Sequence, residues 1–223
     1  MNKIWEKIQN KRLILASVLI GLAGTLFLTG LNIVQLKGEN REIKARLQRE
    51  IQQGIAGEVF RLHVIANSDT EEDQELKLKV KARIVAYLEE ILGEDADLEE
   101  TKEVVLTHLG EIEEEAEKLI HKQGFDYAVQ AVVEKTYFPK KSYGDCTFPA
   151  GEYEALNVKI GEAQGHNWWC VLYPSLCFIE DTYGVVTEEK KEDLKEVLTT
   201  EEFLEIIGKP EEKKRIRFRF RWF

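Results

Sequence analysis

The sequence lacks the local signatures that give away many enzymes. It holds no Gly-x-Ser-x-Gly elbow, no Walker loop and no dinucleotide fingerprint. Its four histidines, His63, His108, His121 and His166, are not spaced as metal ligands with one another or with a cysteine. Basic charge is also short, with 31 Lys+Arg against 41 Asp+Glu. No metal, cofactor or small-molecule substrate is therefore expected. Nucleic acid is not expected either, because phosphate binding needs a basic footprint. A hydrolase could still be assembled from Cys146 as nucleophile, His166 as base and Asp69 as its orienter, since a thiolate needs a nearby base. Nothing in their spacing brings the three together.

What is present is an uneven distribution of charge and grease. Residues 1–57 carry nine basic and four acidic side chains, while the remainder carries 22 basic and 37 acidic ones. Lys3, Lys7, Lys11 and Arg12 precede an uncharged run over 13–36, long enough to cross a bilayer as a helix. The basic flank, 1–12, is expected to stay in the cytoplasm, so the acidic part faces out. The run reads as an uncleaved anchor or as a signal peptide cut near Gly21-Leu22-Ala23. Residues 37–57 read as a stalk or linker, or as a further surface helix, and 58–223 as the exported domain.

Within that domain, EVFRLHVIAN has apolar residues on both faces and predicts a buried strand. Ser68 with Glu71, or Asp69 with Glu72, fits a capping box opening a helix that Gly93 stops. Val105, Leu109, Ile112, Ala116 and Leu119 predict one further helix over about 98–122, with its acidic clusters as solvated surface. Strands are predicted over 127–134, 153–160 and 168–173, and a loop over 139–151. The GEAQGHN segment reads as a hairpin loop joining the last two of these strands. A final helix spans about 188–207, and the alternating RIRFRFRWF at the end reads as a terminal strand or a membrane-surface strip. The expected class is α+β, with helices packed on one side of a mostly antiparallel sheet.

The densest segment is HNWWCVLYPSLCF, 166–178. Trp168 and Trp169 must point to opposite faces of their strand. One can fill the core while the other lies under a helix or serves as an anchor for a protein partner. Cys170 and Cys177 become a facing pair if the chain turns at Tyr173-Pro174, so a disulfide and two buried thiols are both open readings. Gln164, His166 and Asn167, with the two tryptophans, form the expected partner-binding surface.

FRLHVIANSDTEEDQELKLKVK together with YGDCTFPAGEYEALNVKIGEAQGHNWWCVLYPSLCF closely resembles stage II sporulation protein R of endospore-forming bacteria, over about residues 58–180. The residues that carry it are His63, Asn67, Ser68, Asp69, Pro149, Gly151, Tyr153, Gly165, Asn167, Trp168, Trp169 and Cys170. Cys146 is not part of the pattern. The resemblance implies a signal rather than an enzyme: a protein made in the forespore and exported toward the space between the sporulation membranes. There it is expected to trigger a membrane-embedded aspartic protease of the mother cell, which cleaves the sigma-E precursor. A cysteine-dependent envelope hydrolase and a membrane-anchored adaptor are the competing expectations.

Overall fold

The structure is a computed structural model that describes residues 2–93, 96–177 and 186–208, with side chains from residue 15 onward. The expected terminal strand RIRFRFRWF lies outside the described residues. Two compact units are present, 1–50 and 51–223.

The first unit belongs to helix α1 (Asn2–Glu58). Leu19, Ile20, Leu26 and Phe27 are exposed along it. Its most apolar stretch has a mean hydropathy of 1.9, long and apolar enough to cross a membrane. Thr25 and Thr29 fold their hydroxyls back onto the carbonyls of Leu22 and Thr25, so this segment leaves few polar groups to satisfy. Residues 38–57 are helical throughout. Ile51 and Ile55 pack into the core of the second unit, which therefore begins at residue 51.

The second unit runs β1 (Phe60–Ile65), α2 (Glu71–Ile91), α3 (Leu98–Thr107), α4 (Leu109–Lys122), β2 (Val129–Phe138), β3 (Lys141–Tyr143), β4 (Cys146–Phe148), β5 (Gly151–Ile160), β6 (Asn167–Tyr173), α5 (Glu188–Val197) and α6 (Thr200–Ile206). The main sheet has the order β2-β5-β1-β6, and β3 and β4 form a separate two-stranded sheet. Of the three pairings in the main sheet only β1 with β5 is parallel, so the α+β class with a mostly antiparallel sheet is as expected.

Several expectations are corrected. β5 and β6 do not form a hairpin, because β1 lies between them. The GEAQGHN segment instead passes over the end of β1. Helices cover both sides of the sheet rather than one. Leu62, Val64, Leu156, Val158 and Leu172 pack with α2 and α4, while Ala155 and Val171 pack with the end of α1, the β3–β4 hairpin, α5 and α6. The predicted helix over 98–122 breaks at His108, whose ring bonds the Val104 carbonyl at 2.7 Å. The predicted last helix breaks before Thr199, which closes a capping box with Glu202 and starts a new helix. The loop expected over 139–151 contains the β3–β4 hairpin.

The acidic face of α4 is not only solvated. Glu117 and Glu113 accept from the backbone N–H groups of Val129 and Ala131 at 2.9 and 2.8 Å, which satisfies part of the free edge of β2.

Candidate functional site

The turn leaving β1 and the loop entering β6 are built around each other. Gln164 and Gly165 donate their N–H groups to the Asn67 and Ala66 carbonyls at 3.1 and 3.0 Å. Asn67 Oδ1 accepts from the Glu162 N–H at 3.0 Å. The contact demands glycine twice. Gly161 sits at φ +55°, where a Cβ would lie 2.3 Å from Asn67 Oδ1. A Cβ on Gly165 would lie 2.1 Å from the Ser68 carbonyl oxygen.

Ser68 and Asp69 do not cap α2; Thr70 does, its hydroxyl accepting from the Asp73 N–H. That frees Ser68 and Asp69 for tertiary bonds. Ser68 Oγ and Asn67 Nδ2 donate to Asp73 Oδ2 at 2.6 and 2.8 Å. Burial pushes the Asp73 carboxyl up, but the bonds from Ser68, Asn67 and Tyr127 more than reverse this and hold it below the usual range. Asp69 Oδ1 accepts from the His166 N–H at 2.6 Å and meets His166 Nδ1 at 2.5 Å. The His166 side chain is the main reason that the Asp69 carboxyl is held low. The nearly buried Lys77 donates to the His166 carbonyl at 3.0 Å and to Gln74 Oε1 at 2.6 Å. Burial lowers the Lys77 pKa, with Asp69 opposing.

The result is a fixed loop with an exposed crest. Gln164, His166 and Asn167 are exposed, and Trp168 and Trp169 are half-buried on opposite faces of β6. Trp168 packs on the α2 side, its ring 4.7 Å from Lys81 Nζ. Trp169 stacks on His63 with ring centroids 3.8 Å apart. Cys170 and Cys177 are joined by a disulfide, Cα to Cα 5.4 Å, across a turn containing the cis Tyr173-Pro174 bond.

The remaining motif residues lie beneath. Tyr153 is buried and donates its hydroxyl to the Pro149 carbonyl at 2.7 Å. Gly151 faces Gln52, whose amide nitrogen a Cβ there would approach to 2.1 Å. The hydrolase reading fails on Cys146. Asp69 and His166 do meet, but Cys146 is wholly buried among Ile55, Phe138 and Phe148. Burial pushes its thiol up to about 11, so little thiolate exists at neutral pH.

Sequence reasoning passed over Arg61 and Asn157. Arg61 is fully buried, with its guanidinium 4.1 Å from the Phe138 centroid and 4.9 Å from that of Tyr153. It donates to the Tyr143 hydroxyl at 2.7 Å and the Cys170 carbonyl at 3.2 Å. Asn157 Oδ1 accepts from Thr136 Oγ1 at 3.1 Å and pairs with His63 Nδ1 at 2.8 Å. The available signal was alternation: Arg61 and His63 share one parity on a strand whose other parity is wholly apolar.

Among the described residues no cluster of His, Cys, Asp and Glu could hold a metal ion. The family model described as Stage II sporulation protein R matches residues 56–183. The chain is similar to the Stage II sporulation protein R of Bacillus subtilis (strain 168), 33% identical over 159 residues, which is 71% of each chain. No solved structure matches.

Proposed function

The chain belongs to the stage II sporulation protein R family, and on that premise we propose that it is an exported sporulation signal that works by contact. It leaves the forespore by its apolar N-terminal helix and presents the 161–168 crest to a membrane-embedded aspartic protease of the mother cell. Binding shifts that protease to its active arrangement, and the sigma-E precursor is cleaved. The ligand must bind the active arrangement more tightly than the inactive one, since equal affinity would shift nothing.

One observation carries the choice of surface. The family strings at 63–69 and 165–170 converge on a single loop junction whose backbone is fixed by Asn67, Asp69, Asp73 and Lys77 while Gln164, His166 and Asn167 stay exposed. A pre-ordered polar crest beside half-buried tryptophans loses little entropy on binding. Co-expression with the candidate protease and the sigma-factor precursor in a non-sporulating host tests the reading. Cleavage that requires this chain and survives Cys146→Ser supports it. Precursor that stays uncut with all three proteins present and correctly inserted refutes it.

A further inference from the structure

Three buried side-chain polar atoms lack a hydrogen-bond partner among the described residues: Arg61 Nη1, His63 Nε2 and Ser175 Oγ. Two of the three belong to neighbouring positions on one face of β1. Arg61 is fully buried and His63 is 5% exposed. Both flank the Phe138 ring, which lies 4.1 Å from the guanidinium carbon and 5.9 Å from the imidazole centroid. No carboxylate forms an ion pair with Arg61 among the described residues. A buried, unneutralised guanidinium is costly, and aromatic faces offset only part of that cost.

We propose that Arg61 and His63 form a binding site for a carboxylate group, closed by the β3–β4 hairpin. The guanidinium offers Nη1–H to one carboxylate oxygen. The second oxygen meets His63 Nε2. The hydrogen-bond network fixes the tautomer there. Asn157 Nδ2 donates to the Ala155 carbonyl at 3.1 Å, so Oδ1 is the atom that faces His63, and His63 Nδ1 must carry its proton. Neutral His63 then presents its Nε2 lone pair, which accepts no hydrogen bond among the described residues although the Asn167 amide lies on the same ring. A carboxylate is therefore taken up together with one proton, which converts the ring to an imidazolium held between two hydrogen-bonded oxygens.

The surroundings select this ligand over other anions. Phe138, Tyr153, Phe148 and Tyr143 line the guanidinium, at 4.1, 4.9, 5.5 and 5.9 Å. A planar, singly charged group loses less hydration on entering such a site than a phosphate dianion does, and its two oxygens divide between Arg61 Nη1 and His63 Nε2, the guanidinium's Nε and Nη2 being already engaged. Access follows from topology. Tyr143 and Phe148 come from a hairpin that is not hydrogen-bonded to the main sheet. The hairpin is latched by Asp145, which holds Lys191 Nζ at 2.7 Å and the Val186 N–H at 2.9 Å.

Burial lowers the His63 pKa, with the Asn167 and Asn157 amides opposing, Lys159 adding to the decrease and Glu134 resisting it. Proton uptake thus makes binding tighter as pH falls. Arg61 adds a second positive charge from the same strand, which works against the imidazolium until the carboxylate is in place.

The test uses the full chain in detergent micelles and needs no receptor, so it stands or falls apart from the signalling role. Sodium acetate, sodium benzoate and an Asp-centred hexapeptide are each titrated against sodium chloride at matched ionic strength. Thermal unfolding, Trp169 fluorescence and calorimetry in two buffers of different ionisation enthalpy are read. A saturable rise in Tm with close to one proton taken up at pH 7 supports the site. Response to acetate or benzoate identifies a free acid as the source, and response to the hexapeptide alone identifies a protein side chain. Arg61→Met, whose side chain fits the aromatic surroundings, weakens binding by roughly tenfold or more. His63→Gln keeps an amide for Asn157 and abolishes the proton uptake. No carboxylate effect beyond chloride in the unsubstituted chain, or undiminished binding in Arg61→Met, overturns the proposal. If Arg61→Met does not fold, the carboxylate-against-chloride comparison at pH 6 and pH 8 decides it alone.

Discussion

Along β1, Phe60, Leu62 and Val64 enter the face covered by α2 and α4, while Arg61 and His63 alternate with them into the face covered by the β3–β4 hairpin. β5 repeats the contrast, with Leu156, Val158 and Ile160 on the first face and Tyr153 and Asn157 on the second. The two faces are equally buried and differ in what they do with burial. The first is close-packed hydrocarbon throughout, whereas the second combines its own apolar cluster with buried polar groups. The second also encloses a cation, an imidazole and an amide: Arg61 donates to the Cys170 carbonyl, Asn157 pairs with His63, and His63 stacks on Trp169. A sheet needs only one greasy face to fold against helices. Polar side chains buried on the other face are therefore better candidates for function than for stability.

Substitutions separate the two faces, and the largest effect belongs to the first. Leu62→Ala should cost about 2–5 kcal/mol in denaturant unfolding, because it opens a cavity between β1 and the helices. Arg61→Met, one residue away, should leave stability unchanged or raised. Equal losses would erase the distinction between the faces. Next, reducing the Cys170–Cys177 bridge, or replacing both cysteines by serine, should cost about 2.5 kcal/mol, since the loop it closes is short. Mass spectrometry with and without reductant checks the state of the thiols.

Gly165→Ala sits where β1 ends and both faces meet. Its Cβ would approach the Ser68 carbonyl to 2.1 Å, so the loop must shift. A stability loss of about 1–3 kcal/mol is expected, together with a change in Trp168 fluorescence. Glu113→Ala removes one acceptor from the β2 edge and should cost about 1 kcal/mol, visible as faster exchange of the Ala131 amide. The smallest effect is pH-dependent. The His63 pKa is depressed in the folded chain by burial, so the folded state binds fewer protons than the unfolded state. Stability is full above the ordinary histidine value and falls as pH drops through it. His63→Gln should flatten that part of the profile in urea melts at stepped pH.

The apolar face was legible in the sequence, because Leu76, Val80, Ile84 and Leu88 on α2 keep helical spacing and need only a partner sheet. The strands themselves were also legible from their period of two. Pairing was not. That β1 inserts between β5 and β6 depends on contacts a hundred residues apart, and a glycine-bounded segment such as GEAQGHN reads as a hairpin unless Asn67 and Asp69 are known to hold it. Helix breaks at His108 and Thr199 were hidden because the apolar stripe runs on through them. The expected surface residues Gln164, His166 and Asn167 fall on one exposed crest, while Trp168 and Trp169 are half-buried on opposite faces of β6. The burial of Arg61 was not legible, because a single arginine in an apolar strand carries no local sign of what covers it.

The account rests on contact through that crest, and a triple replacement of Gln164, His166 and Asn167 by alanine tests it most directly. The variant is placed in the co-expression system, with its fold verified by thermal unfolding, and precursor cleavage is scored against the unsubstituted chain. The account predicts a folded, exported protein that no longer triggers cleavage. Cleavage at the unsubstituted level would contradict it.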